Sequence, residues 1–415
     1  MNVLSLFDGM SCGQQALNRA GFKIDKYFAS EIDKHAIVVT MANYPETIQL
    51  GSVVDVNGYD LPKIDLLIGG SPCQSFSFAG KRKGMSTKDE QQILTLDQYL
   101  ELKNEGFEFE GQSFLFWEYM RLLNEIRTKN PNVFFLLENV MMTENWERVL
   151  SGAIGVHPIE INSALVSAQN RRRLYWTNIG LQPSGLFGDL ESIIQQPKDK
   201  GILLKDILQD NPNAKYFLSD KTLEYYEKNN EKNKTENLGY MFEPTEGNKK
   251  AGALTTREGN REYNNFIICH SGQRRSENRP SVAKNKNAGG TGPLSRTDGK
   301  TYCLDHTSFA NFVEQTEVVS MDFRHDEGFR IRQNGKSPTL RRVNNDNNEP
   351  STNPLVSINK RIRRLTPVEC ERLQTVPDNY TNHVSDTQRY RMLGNGWTVD
   401  VIVHILNYLP KTYKK

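Results

Sequence analysis

Cysteine is scarce in this 415-residue chain: Cys12, Cys73, Cys269, Cys303 and Cys370 lie far apart, and no CxxC pair occurs. That spacing argues against a zinc cluster and against a disulfide framework. No apolar run approaches the ~20 residues of a membrane-spanning helix, so no membrane partner is expected. The opening run Met1–Phe7 has no basic flank of the secretory kind. An odd cysteine count without such a leader fits a reducing cytoplasm. Net charge is also low, at +2, too little to identify an acidic partner by itself. The first strand–helix junction carries neither a dinucleotide fingerprint nor a P-loop.

Charge is present, but it is concentrated. Residues 271–300 hold seven Lys/Arg against two acids, and residues 330–364 hold nine against two. Such local basic density suits phosphate contacts, although a solvated loop surface has the same composition.

Residues 1–180 alternate strand and helix signals, the pattern of an α/β domain with a parallel sheet. Strands are predicted at Val3–Phe7, Tyr27–Ser30, Val133–Leu137, Ile159–Val166 and Leu174–Ile179. Helices are predicted at Gly13–Arg19, His35–Asn43 and Phe114–Thr128, with Gly21 placed to cap the first. Residues 181–355 are rich in Asn, Gly, Lys and Glu. Apolar seeds at Tyr216–Tyr226, Phe266–Cys269 and Val318–Phe323 suggest a small irregular domain. Regular structure returns in 356–415. There Thr366-Pro367-Val368-Glu369 reads as a capping box, Leu393–Gly396 as a turn and Val399–Leu409 as a closing helix expected to pack back on the first domain.

The motifs that carry chemistry sit at predicted strand ends. The buried run Ile64–Ile68 ends in Gly69-Gly70-Ser71-Pro72-Cys73. Cys73 is thereby presented at the carboxyl end of a strand, where open α/β sheets place their chemistry. A thiol there can be a nucleophile, although a free Cys more often packs as a small hydrophobe. Glu31 and Asp55 are expected at successive strand ends, beside the loop Phe7-Asp8-Gly9. Each acid alone is a common helix cap. Together with the glycine loop they fit an adenosine-containing cofactor. Glu138-Asn139-Val140 follows an apolar strand, so a partly buried carboxylate there could carry a proton to a ring nitrogen. Arg171 and Arg173 alternate and would share one face if extended, ready for a phosphate or a base oxygen.

In this order, Phe7-x-Gly9, Glu31, Asp55, Pro72-Cys73-Gln74, Glu138-Asn139-Val140, Gln169-x-Arg171-x-Arg173 and Gly394-Asn395 resemble the DNA cytosine-5 methyltransferases over residues 1–180 and 360–410. Ser11-Cys12 replaces the usual glycine pair. With Arg391-x-Leu393-Gly394-Asn395-Gly396-Trp397, it is more similar to the de novo eukaryotic subgroup. A stretch of about Ser86–Gly111 is extra.

The resemblance implies a Rossmann-like, mostly parallel sheet with helices on both faces. It assigns 1–180 to catalysis and cofactor, 181–355 to target recognition, and 356–415 to a segment returning to the catalytic domain. It implies S-adenosylmethionine as cofactor, S-adenosylhomocysteine as product, no metal, and double-stranded DNA as substrate. The catalytic set would be Cys73, Glu138, Arg171 and Arg173. Cofactor would be held by Phe7, Asp8, Gly9, Glu31, Ile32, Asp55, Val56, Pro72 and Asn395, and DNA met by Gln74, Ser75 and Arg82. A monomer is expected, in a bacterial or phage-infected cell, and a separately encoded restriction endonuclease is a compatible partner. The competing readings are an RNA cytosine-5 methyltransferase, a catalytically silent DNA-binding paralogue, and a nucleotide-level enzyme that also adds Cys to C6.

Overall fold

The computed structural model describes residues 1–72, 92–107, 109, 112, 114–184, 189–235, 242, 244–245, 249–254, 266–269, 320–324, 328–332, 355–356 and 361–414. The chain divides into two compact units. The first comprises 1–210, 247–265 and 365–415; the second comprises 211–246 and 266–364.

The first unit begins with β1 (Asn2–Leu6), α1 (Cys12–Arg19), β2 (Lys26–Ser30), α2 (Lys34–Asn43) and β3 (Ile48–Gln49). It continues with β4 (Leu66–Gly70), α3 (Leu96–Asn104), α4 (Leu115–Lys129), β5 (Phe134–Val140), α5 (Glu144–Ile154), β6 (Ile159–Asn162) and β7 (Arg172–Thr177). Seven strands form one sheet in the order β3-β2-β1-β4-β5-β7-β6. All neighbours are parallel except β7, which runs antiparallel to both β5 and β6. Strands buried on both faces read as unbroken apolar runs, and Leu66, Leu67 and Ile68 of β4 are buried accordingly.

Helices cover both faces. Leu4, Leu6, Leu67, Phe135 and Leu137 pack in one core with Phe116, Trp117, Leu122, Leu123 and Ile126 of α4 and Trp146, Leu150 and Ile154 of α5. On the other face α1 lies so close that a Cβ at Gly13 would fall 2.3 Å from Ile68 Cδ1. α1 ends in a Schellman motif: Gly21 is left-handed (φ +79°), its N–H donates to Asn18 O, and Phe22 N–H donates to Leu17 O. The order of strands reverses between β1 and β4. That switch point opens a crevice at their carboxyl ends.

After the sheet come a hairpin of β8 (Leu181–Ser184) and β9 (Asp189–Ser192) and, in the second unit, α6 (Asp220–Thr235). The second unit also contains β10 (Phe266–Cys269), a three-stranded sheet of β11 (Ser320–Arg324), β12 (Gly328–Arg332) and β13 (Leu355–Val356), and β14 (Arg361–Arg364), which pairs antiparallel with β10. Tyr226 of α6 stacks on Phe242, with ring centroids 4.4 Å apart.

The chain then returns to the first unit as α7 (Pro367–Leu373), α8 (Asp386–Asn395) and α9 (Val399–Leu406). α9 packs on α1, and Arg19 pairs with Asp400 at 2.5 Å. The capping box at Thr366 is formed, with Glu369 N donating to Thr366 Oγ1 at 3.2 Å and Thr366 N to Glu369 Oε2 at 2.8 Å.

Boundaries differ from those expected at several elements; α9, for one, ends at Leu406 and not at Leu409. β5 runs on through Glu138 and Asn139 because both pair with β7. β6 stops at Asn162, whose side chain caps a 3-10 turn at Ser163–Leu165. β7 starts earlier, at Arg172, and ends at Thr177. α8 extends to Asn395, so the predicted turn at Leu393–Gly396 is helical over most of its length. Among the described residues no helix is long and apolar enough to cross a membrane.

Candidate active site

One wall of the switch-point crevice is the loop joining β1 to α1. Phe7, Gly9 and Ser11 are all left-handed, with φ of 57°, 58° and 62°. Two of the three are not glycine, and each such residue costs ~1–2 kcal/mol. Strain of this kind gathers where a ligand is clamped. The loop is tied to the end of β2: Asp8 N donates to Ser30 O at 3.2 Å, and Gly9 N donates to Glu31 Oε2 at 2.7 Å. Glu31 Oε1 accepts from Ile32 N at 2.7 Å and Asp33 N at 2.8 Å. Three backbone donors therefore fix one carboxylate, and Oε2 keeps room for a further donor. A Cβ at Gly9 would meet nothing within 4 Å, and Ile32 is 71% exposed. An apolar side chain, an oriented acid and an open glycine thus border the same space. That set fits the ribose and base of an adenosine cofactor.

Asp8 faces inward. Its Oδ1 accepts from the Tyr27 hydroxyl at 2.8 Å and its Oδ2 from Ser11 Oγ at 2.7 Å. Burial pushes its carboxyl up to about 6, against the pull of the surrounding hydroxyls. Its place is to shape the loop from behind. Asp55 is exposed on a 3-10 turn (Val53–Asp55) after β3, not at a strand end. Arg121 of α4 holds this turn by donating to Val53 O at 3.2 Å and Val56 O at 2.9 Å; Val56 itself is buried.

The other wall is built around Glu138. The register sets it between Gly70 of β4 and Tyr175 of β7. Its Oε1 pairs with Arg173 Nε at 3.0 Å, and its Oε2 accepts from Trp397 Nε1 at 3.2 Å. Asn139 Nδ2 donates to Ser71 Oγ at 3.0 Å, which fixes the start of the Pro72 loop; Pro72 is half-buried.

Arg171 and Arg173 both lie near Tyr175 but take different partners, Arg173 the Glu138 carboxylate and Arg171 the backbone. Arg171 lies just before β7, is 4% exposed, and donates to the carbonyls of Leu254 (3.0 Å), Gly394 (3.2 Å) and Gly396 (3.0 Å). Its guanidinium holds backbone on either side of Asn395. Asn395 is exposed at the end of α8. Cys12 is enclosed, and burial pushes its thiol up to about 12, which keeps it in the neutral form. Cys73, Gln74, Ser75 and Arg82 lie outside the described residues.

Trp397, Asn139 and Ser71 join the site without being among the residues expected from the sequence. The signal was available: Asn139 and Ser71 are adjacent to Glu138 and Pro72, and Trp397 closes the Gly394–Gly396 motif.

The model of the C-5 cytosine-specific DNA methylases matches residues 1–150 and 162–411. The chain belongs to this family. The methylase is 28% identical to the orphan methyltransferase M.SPRI of Bacillus phage SPR, over 100% of this chain and 98% of that one. It is 27% identical to the type II methyltransferase M.HgiCI of Herpetosiphon aurantiacus, over 97% and 96%. Among solved structures, the Dnmt2 methyltransferase of S. pombe is similar in fold, with a TM-score of 0.55 at 13% identity over 99% and 98% of the two chains. The methyltransferase EhMeth of Entamoeba histolytica gives 0.54 at 15%, over 100% and 99%. The mostly parallel sheet of this methylase is the fold these two share.

Proposed function

We propose that this methylase modifies C5 of cytosine in double-stranded DNA, in a sequence context read by residues 181–355. The observation that carries the reading is the arrangement at the switch point. There a two-point-held Glu138 stands beside the strand leading to Pro72-Cys73, across from a loop and acid suited to an adenosine cofactor.

S-adenosylmethionine, when bound, supplies the methyl group. Phe7, Gly9, Ile32 and Val56 would border its base and ribose, Glu31 would accept from the ribose, and Asp55 from the adenine amine. Pro72 and Asn395 would meet the methionine end, with Asp8 supporting the loop from behind.

The target base must leave the stack to be reached. Cys73 thiolate forms a bond to C6, and the ring's electron pair moves to C5. Glu138 hydrogen-bonds and protonates N3, which makes C6 the better electrophile. Arg173 steadies the base oxygen while holding Glu138. The electron pair at C5 then takes the methyl group, leaving S-adenosylhomocysteine; a water accepts the C5 proton, the Cys73–C6 bond breaks to release the thiolate, and N3 returns its proton to Glu138, which restores the ring. Arg171 acts at a distance, through the Gly394–Gly396 backbone. Gln74, Ser75 and Arg82 would face the DNA. The relatives' names fit service either as a solitary phage enzyme or beside a restriction endonuclease, with one chain acting as a monomer.

The test is purified protein with labelled S-adenosylmethionine and unmethylated DNA, followed by base-resolution mapping. Label at C5 of cytosine in one short context is expected from the wild type and none from Cys73→Ala. Label on RNA but not DNA would replace the substrate, and unimpaired methylation by Cys73→Ala would remove the covalent step.

A further inference from the structure

We propose that Trp397 is a positioning residue for Glu138, an inference that rests on the reaction above. A Glu carboxylate turns easily about its last torsion. Here the two oxygens are held by different donors on different elements. Arg173 Nε of β7 sits 3.0 Å from Oε1, and Trp397 Nε1, between α8 and α9, sits 3.2 Å from Oε2. The indole can only donate, so it fixes which oxygen faces it and leaves the carboxylate in one orientation toward the base.

The indole is itself held. The carbonyl of Gly396, directly before it, accepts from Arg171 Nη2 at 3.0 Å and from Gln374 Nε2 at 3.1 Å. The hydroxyl of Thr398, directly after it, donates to Gln374 Oε1 at 2.9 Å and accepts from Ser163 Oγ at 2.8 Å. Gly70 completes the arrangement. A Cβ there would lie 2.9 Å from Trp397 Nε1 and 3.0 Å from Glu138 Oε2, wedged between the two groups. These distances account for the second glycine of Gly69-Gly70, and for Arg171, whose guanidinium serves the turn before the indole.

The experiment compares wild type, Trp397→Phe, Gly70→Ala and the double variant as full-length proteins. It measures kcat, KM for both substrates, and thermal midpoint. Trp397→Phe keeps an aromatic ring and removes the donor. Loss of a hydrogen bond to a charged group predicts kcat lower by about tenfold or more, with both KM values and the midpoint little changed. Gly70→Ala should lower kcat likewise, and the double variant should be no slower than the slower single, because both changes break the same hydrogen bond. An unchanged kcat in Trp397→Phe, a loss confined to KM for S-adenosylmethionine, or multiplying losses in the double variant would each overturn the inference. Failure of the wild type to make 5-methylcytosine in any DNA would instead sink the reaction assignment and the inference with it.

Discussion

Asp8 and Glu31 are both acids at the switch point, yet the fold treats them differently. Glu31 gathers backbone donors, whereas Asp8 is half-buried among hydroxyls and its carboxyl is pushed up to about 6. A carboxyl raised on folding favours the native state most at pH below its ordinary value of 3.8, and that advantage is lost as pH rises through about 6. Relative to wild type, Asp8→Asn should therefore gain stability between pH 4 and pH 7, by at most ~3 kcal/mol. Denaturant unfolding at both pH values reads this directly, and a pH-independent difference would contradict it. Glu31→Gln puts an amide NH2 where a backbone N–H now donates, so the dissociation constant for S-adenosylmethionine should rise by about tenfold or more. Isothermal titration would detect it. At this scale the sequence made residue type and order visible but not direction. Glu31 and Glu138 were recognisable as acids at the crevice. Nothing in Gln169–Arg173 announced that Arg171 turns to carbonyls more than 80 and 220 residues away, because those partners are brought near only by the return of the chain.

Elements with local causes were legible. The capping box at Thr366, the proline after it and the left-handed Gly21 each act within a few residues, and each stands where the sequence placed it. Thr366→Ala should cost about 1 kcal/mol through the missing cap, somewhat more with its 2.5 Å bond to Gln209. Equilibrium unfolding would measure the loss, and an unchanged midpoint would show that Glu369 and Pro367 suffice. Elements with tertiary causes were less legible. β5 looked finished at Leu137 because Glu138 and Asn139 are polar, but pairing with β7 carries the strand through them. For the extra stretch at 86–111 the sequence names no element. Its described part includes α3, docked on α4 where the Tyr99 hydroxyl meets the buried Glu118 at 2.5 Å and Lys103 Nζ meets it at 2.6 Å. Asn395 was assigned to a turn because Gly394 and Gly396 flank it, yet α8 absorbs Gly394 within its buried side.

For the molecule as a whole, composition spoke of binding and not of architecture. The basic stretches 271–300 and 330–364 motivate a salt test. Replacing Arg274, Arg275 and Arg279 by Ala should flatten the log–log salt dependence of DNA affinity by about 0.9 for each phosphate no longer neutralised. An unchanged slope would mean these residues face no phosphate. The division into units was legible only in part, since nothing in the sequence marks 247–265 as belonging to the first. Interleaving of that kind leaves no local mark, because each stretch is helical or extended for its own reasons. It also sets a timetable. Glu138 and its indole partner are 259 residues apart in sequence, which at ~5–20 residues per second is roughly 13–50 s of synthesis. For most of that interval a growing chain has already made the seven strands of the sheet and the Pro72-Cys73 segment, while the second holder of Glu138 does not yet exist. A nascent methylase would thus acquire its thiol early and its full proton-handling site only near completion, so fragments ending before Trp397 should be poor catalysts even where their sheet is folded.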